Sequence, residues 1–474
     1  MGKISNFYTM PHPPIIVPEV GRGEEKKIKQ TYDAYNEVAE QIAAIKPDTI
    51  IIITPHGPLF SNAIAVSAEE NIYGDLGKFD APDVQLNLQI DVPLVEKIIS
   101  YSREDNIPVA KITESDAKKY NVEYGLDHGA LIPLYFINKK FSNYKIVHIT
   151  YGMISKIKLY EFGMNIKKAV EDSNINAVFI ASGDLSHKLS EDGPYGYSNY
   201  GEEFDDEIIA LLKYGDVLGV FNMDPVVVEA AAECGLRSFY IMLGAMEGYK
   251  IRGNLLSYEG TFGVGYSVME FTLEKSDKSA YSLLLEDTQN KIKATMKNAD
   301  PHVRLAYESL ANFLINGDYM DVPSYVTDEM KNTKRGVFVT LKKLGSLRGC
   351  VGTFLPTTEN VCEEIIKNAV SAGIYDSRFL PVGMEELDDI DFSVDVLTEP
   401  QKASIEELDP KKYGVIVRSG FKLGLLLPDL KEVDTAEEQI NIALQKGGIS
   451  TDEEYTIEKF EVIRHIHIYE GQRI

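Results

Sequence analysis

Three stretches in the first half of this chain run from a β-rich apolar segment straight into a histidine: Ile4 to Met10 into Pro11-His12, Asp48 to Thr54 into Pro55-His56, and Ala177 to Gly183 into Ser186-His187. Between them lie segments of helical period. Alternation of this kind predicts an α/β domain whose mostly parallel central sheet is covered by helices on both faces. In such a sheet, side chains just beyond the carboxyl ends of the strands converge on one edge. The histidines are therefore expected to share a site, and imidazoles gathered on a crevice edge point to a metal or an acid/base catalyst.

At 474 residues the chain exceeds what one core usually supports, so two domains are expected. Lys and Arg total 48 against 73 Asp and Glu, a formal charge of -25 that argues against nucleic acid as a partner in the absence of a basic patch. The longest apolar runs are too short to cross a bilayer, and the N-terminus has neither a signal-peptide core nor a myristoylation pattern. No membrane partner is expected. Three cysteines, Cys234, Cys350 and Cys362, without a CxxC pair fit a reducing, cytoplasmic setting.

The period changes near residues 272 to 282. Gly260 to Thr272 reads as strand, residues 273–281 as a polar linker, and helical spacing resumes after Ser282. The expected division is 1–272, a linker at 273–281, and 282–474. In the first part, Glu24 to Ala44, Val92 to Asp105, Ala130 to Ile137 and Ile157 to Glu171 read as helices, and Lys145 to Thr150 reads as a buried strand. The second part mixes helices (Ser282 to Asn298, Val303 to Asn312, Thr358 to Ala372, Thr435 to Lys446) with alternating strands at Gly336 to Leu341, Ile390 to Leu397, Gly414 to Arg418 and Glu461 to Tyr469. This predicts a smaller α+β domain with antiparallel pairing.

His12 and His56 are framed by proline, in Met10-Pro11-His12-Pro13-Pro14 and Thr54-Pro55-His56-Gly57-Pro58. Proline stiffens each loop and Gly57 permits a sharp turn, which suits ligands held at fixed geometry. Two imidazoles bind a divalent ion incompletely, and a facial triad adds a carboxylate. The candidate donor is Glu233, in the helical-looking stretch Val226 to Gly235, where three alanines leave room around it. An ion pair with Arg237 on an exposed face is the alternative. Cys234 is a competing donor, since a thiolate with two imidazoles suits zinc or copper better than oxygen-activating iron. His187 closes Gly183-Asp184-Leu185-Ser186-His187, where Asp184 or Ser186 could orient its ring. His128, in Leu126-Asp127-His128-Gly129, precedes a helix and could donate a hydrogen bond to substrate or oxygen. His148 lies in an apolar run and reads as a hydrogen-bonded core residue.

The motifs Pro11-His12-Pro13-Pro14, Thr54-Pro55-His56-Gly57, Leu126-Asp127-His128-Gly129 and Gly183-Asp184-Leu185-Ser186-His187 resemble the class III extradiol dioxygenase superfamily of the LigB type, including its Memo branch. The likeness spans about residues 4 to 272. It implies ferrous iron held by His12, His56 and Glu233, with His187 as acid/base, His128 at the oxygen or substrate site, and a small aromatic substrate and O₂ as reactants. Memo-like members carry a cysteine-glycine pair here, as Cys234-Gly235 does.

In the second part, Leu347-Arg348-Gly349-Cys350-Val351-Gly352 reads as a loop that brings backbone close to something. Cys350 is a nucleophile there if Arg348 stabilises its thiolate, and otherwise a small buried thiol. Period two puts His465 and His467 on one strand face, able to line a cleft or bind metal, or simply solvated. The hexapeptide, with Asp376-Ser377-Arg378-Phe379-Leu380-Pro381 and Gly424-Leu425-Leu426-Leu427-Pro428, resembles the AMMECR family over about residues 282 to 470. That resemblance implies a radical S-adenosylmethionine protein as partner, while the polar linker and the lack of a convincing metal set beyond His465 and His467 point to a binding module. Three functions compete: an iron-dependent extradiol-type dioxygenase, a Memo-like metal-binding or scaffold protein, and a zinc-dependent hydrolase. Iron, copper and zinc are their respective metals, and oligomeric state is open, a homo-oligomer included.

Overall fold

The computed structural model describes residues 1–474 apart from 298, 344, 384–386, 388–389, 431–432 and 467–474, with backbone alone at 289, 291–297 and 315. The chain forms two compact units, Met1–Asp287 and Thr288–Ile474.

The first unit contains strands β1 (Lys3–Met10), β2 (Thr49–Thr54), β3 (Ile64–Ser67), β4 (Asn71–Leu76), β5 (Ala81–Gln89), β6 (Val109–Ile112), β7 (Lys145–Thr150), β8 (Asn176–Ser182), β9 (Tyr249–Glu259) and β10 (Tyr266–Lys275). Eight of them make one sheet in the order β6-β3-β7-β2-β8-β1-β10-β9, and β4 pairs with β5 apart from it. The centre of the sheet is parallel, β7 with β2, β2 with β8 and β8 with β1, while β3 against β7 and the β1-β10-β9 edge run antiparallel. β2 is Thr49-Ile50-Ile51-Ile52-Ile53-Thr54 and every residue in it is buried, as a central strand packed on both faces requires.

This order positions the site. β2, β8 and β1 are consecutive and parallel, so the loops that leave their carboxyl ends, carrying His56, Asp184 to His187 and His12, open side by side. The helix His128–Lys140 starts nearby, capped by the Asp127 side chain.

Some elements differ from the sequence expectation. β10 begins at Tyr266, because residues 260–265 form the turn that joins it to β9. The helix expected to hold Glu233 ends at Ala231, where Ala232 takes a left-handed backbone at φ 54. Glu233 and Cys234 thus lie in the link to the next helix, Leu236–Ala245. The first unit also runs past the expected linker: the helix Ala280–Lys297 opens with Leu284 buried in the first core and Ala280 and Tyr281 packed against it.

The second unit has strands β11 (Val337–Lys343), β12 (Ser346–Thr353), β13 (Ile390–Leu397), β14 (Gln401–Lys402), β15 (Gly414–Ser419), β16 (Lys422–Leu426), β17 (Thr456–Phe460) and β18 (Val462–Ile466). They form two antiparallel sheets, β12-β11-β13-β18 and β14-β17-β15-β16. The hexapeptide around Cys350 is edge strand β12 rather than a loop. Its glycines mark close approach, since a Cβ at Gly349 would lie 2.2 Å from the Ala372 carbonyl oxygen. His467 lies outside the described residues.

Candidate metal centre

His12 is buried, and its surroundings fix its tautomer. Its backbone N–H donates to Asp184 Oδ1 at 2.7 Å, and its Nδ1 lies 2.9 Å from Ser182 Oγ. Ser182 has one hydroxyl proton and donates it to the Gly129 carbonyl at 2.5 Å. The Ser182 oxygen must then accept from His12 Nδ1–H, which leaves His12 Nε2 as a bare lone pair. That lone pair faces His56 Nε2 at 2.9 Å and Cys234 Sγ at 3.7 Å.

The three donor atoms all lie within 4.8 Å of one another. A tetrahedral ion with usual imidazole and thiolate bonds needs about 3.3 Å between two nitrogens and about 3.6 Å between nitrogen and sulfur. The two pairs that involve His12 lie within a few tenths of an ångström of those spacings, and His56 and Cys234 lie within 4.8 Å of each other. Burial and the neighbouring His56 hold His12 well below the usual histidine range, and desolvation lowers His56 as well, so both imidazoles are neutral as ligation requires. Burial, with Asp184 and Glu233 nearby, pushes the Cys234 thiol well up, so loading an ion there must displace its proton.

The approach of Cys234 depends on two glycines. A Cβ on Gly183 would lie 2.0 Å from the Gly235 Cα, so the turn after β8 and the turn after Cys234 cross in backbone contact. At that crossing Asp184 N–H donates to Cys234 Sγ at 3.3 Å, and Cys234 N–H donates to the Asp184 carbonyl at 3.4 Å. Asp184 also reaches the centre, its Oδ2 3.9 Å from His12 Nε2, and burial raises its carboxyl. Asp184, His187 and Cys234 form a second, overlapping group of donor atoms.

Glu233 is not among these donors. Its Oε2 accepts from Leu236 N–H at 2.6 Å, at the start of the helix Leu236–Ala245, and burial pushes its carboxyl up to about 7. Arg237 instead donates to the carbonyls of Gly152 and Ile154, at 3.4 and 2.9 Å.

His128 stacks on His56 with centroids 4.2 Å apart, and burial beside His12 and His56 pushes it down to about 3. Gly129 must follow it, because a Cβ there would lie 2.4 Å from Thr54 Oγ1. The same Thr54 donates to Asp127 Oδ1 at 2.6 Å, while His148 Nε2 lies 2.9 Å from Asp127 Oδ2 and His148 Nδ1 2.8 Å from Ser67 Oγ. His148 is thus the hydrogen-bonded core residue expected, and it steadies the residue that begins the His128 helix. Burial acts to raise Asp127, yet the His148 contact holds it well below the usual carboxylate range.

His187 stacks on Tyr195 at 5.0 Å, and burial lowers its pKa against the opposing pull of Asp184. Buried Asp205 fixes the loop that carries it by accepting from Ser186 N–H and from the Tyr258 hydroxyl, both at 2.7 Å.

In the second unit, Asp376 Oδ2 accepts from Cys350 N–H at 3.0 Å and from Arg378 Nη2 at 2.7 Å, and Thr340 donates to Cys350 Sγ at 3.3 Å. Arg378 also shapes the Cys350 backbone, donating to its carbonyl at 2.9 Å. Asp300 and His302, which sequence reasoning passed over, gather with His465. A strand partner 165 residues away leaves no local signal.

A mostly parallel sheet with histidines at its carboxyl edge defines the class, and comparison with known families agrees. Residues 6–269 match the model for the catalytic LigB subunit of aromatic ring-opening dioxygenase, and residues 303–465 match that for AMMECR1. The chain belongs to the LigB family and carries an AMMECR1 domain after it. Protein CA_C1420 of Clostridium acetobutylicum is 54% identical over 464 residues, covering 98% of this chain and 99% of the relative. A Thermotoga maritima protein is 47% identical over 168 residues, 35% of this chain and 97% of its own length. Among solved structures, PH0010 from Pyrococcus horikoshii aligns with a TM-score of 0.32 at 30% identity, covering 34% of this chain and 88% of that protein. No described helix is long and apolar enough to cross a membrane.

Proposed function

We propose that the first unit binds a transition-metal ion through His12 Nε2, His56 Nε2 and Cys234 Sγ, and acts as an oxidoreductase on a small phenolic or catechol-like substrate. The convergence of those three atoms within 4.8 Å carries the reading, and the LigB match supports the reaction class. When bound, such a metal supplies Lewis acidity and redox chemistry. The chain's own residues do the rest. Ser182 locks His12 in the tautomer that presents Nε2. His187 takes the substrate hydroxyl proton, and Asp184 stabilises the imidazolium that results. His128, stacked on His56 and neutral, orients a substrate oxygen.

The soft thiolate favours copper or zinc over ferrous iron. An iron centre is the second reading, favoured by Asp184 Oδ2 at 3.9 Å from His12 Nε2, which offers the carboxylate a facial triad needs. Metal analysis of anaerobically purified protein, followed by oxygen uptake with a panel of catechols, tests both. Bound copper or iron with catechol-dependent uptake is the expected outcome. Zinc without uptake would overturn the oxidoreductase reading in favour of a hydrolase, and no metal at all would overturn the centre.

A further inference from the structure

One group of side chains in the second unit plays no part in that reading. Asp300 caps the helix Pro301–Asn316, accepting from His302 N–H at 2.8 Å. Its Oδ1 lies 2.9 Å from His302 Nδ1, and its Oδ2 lies 2.9 Å from His465 Nδ1 on β18. The two imidazoles stack with centroids 3.6 Å apart and planes 21° from parallel. A helix cap needs one carboxylate oxygen and no imidazole, so capping alone does not explain the arrangement.

We infer that Asp300, His302 and His465 hold one divalent transition-metal ion, of the zinc, cobalt or nickel kind, through the two Nδ1 atoms and a carboxylate oxygen. The donor atoms lie within 4.8 Å of one another. Two imidazoles and a carboxylate are a donor set these metals accept, and bonds of about 2.0–2.1 Å put tetrahedral ligand atoms about 3.3 Å apart. Each Nδ1 now lies 2.9 Å from a different oxygen of Asp300, so taking up the ion requires the carboxylate and the stacked rings to turn toward it. Each neutral imidazole has a single proton, which moves to an Nε2 that makes no hydrogen bond among the described residues. Partial exposure of the side chains, 32% for Asp300, 16% for His302 and 18% for His465, leaves an entry path and room for water as fourth ligand. The ion would tie the helix after Asp300 to β18 and stabilise the unit by its binding energy.

Cobalt(II) titration of the full chain, read by visible absorption and by bound metal per chain, tests this. The parent chain should bind one equivalent more than Asp300→Asn or His465→Ala, with tetrahedral cobalt bands that weaken in both variants. Affinity at this site should fall by at least the roughly 10- to 100-fold that loss of a supporting group costs. Asparagine caps a helix as well as aspartate does, so circular dichroism of Asp300→Asn should match the parent. Equal stoichiometry and equal spectra in parent and Asp300→Asn would overturn the assignment. Because neither variant touches His12, His56 or Cys234, the result stands apart from the fate of the first centre.

Discussion

Glu233 and Cys234 are neighbours in sequence with different partners, and the difference is testable. Cys234→Ala should remove most of the metal from the first unit, whereas Glu233→Ala should keep it and lose about 1 kcal/mol of stability with the lost helix-start hydrogen bond. Metal content after dialysis, with a melting curve, reads both effects, and metal lost only from Glu233→Ala would restore the glutamate as ligand. His187→Ala should retain metal and lose about 10²-fold in turnover, since it moves a proton and lies outside the His12, His56 and Cys234 set. Asp205 gives a pH signature. Burial raises its carboxyl from 3.8 to about 7, so its contribution to stability is fully present below about 4 and is lost as pH rises through about 7. The parent's urea midpoint should therefore lose that contribution between about pH 4 and about pH 7, and Asp205→Asn should flatten the dependence. An unchanged slope would mean that burial does not protonate it. Strand ends and proline frames made His12, His56 and His187 legible in the sequence. The bond from His12 Nδ1–H to Ser182 that fixes the His12 tautomer was not legible, because it exists only once β8 lies beside β1.

At the scale of elements, the central strands were readable as apolar runs, while the link between Ala231 and Leu236 was not. Three alanines continue a helical pattern, and only the left-handed Ala232 breaks it, driven by the need for Gly235 to meet Gly183. The same competition misled the reading of β12, whose glycines look like a turn but serve a strand packed tightly against the Ala372 carbonyl. Gly183→Ala tests the crossing directly. A methyl 2.0 Å from a backbone carbon cannot be absorbed by a rotamer change, so the two turns must part. Stability should fall by at least the 1–3 kcal/mol or so typical of overpacking, and metal affinity should fall with it as Cys234 withdraws. A variant as stable and as metal-loaded as the parent would show that the crossing does not position the thiol.

At the scale of the whole molecule, composition announced two domains but could not place their border, because a polar stretch looks like a linker whether or not the next helix packs backward. Here it does. Tyr281 donates its hydroxyl to Glu161, its N–H donates to Glu247 at 3.2 Å, and its ring stacks with Tyr160 at 6.1 Å. Leu284 is buried in the first core. A chain cut after residue 278 would strip all of this from the first unit, whereas one cut after 287 would keep it. Burying a leucine side chain contributes about 1.5–3 kcal/mol, and the tyrosine's hydrogen bonds add about 1 kcal/mol each. The fragment 1–287 should therefore melt several degrees above 1–278. Both should bind the same metal at the first centre, since its donors His12, His56 and Cys234 all precede residue 235. Equal melting temperatures would put the border back at the polar stretch and make residues 280–287 part of the second unit.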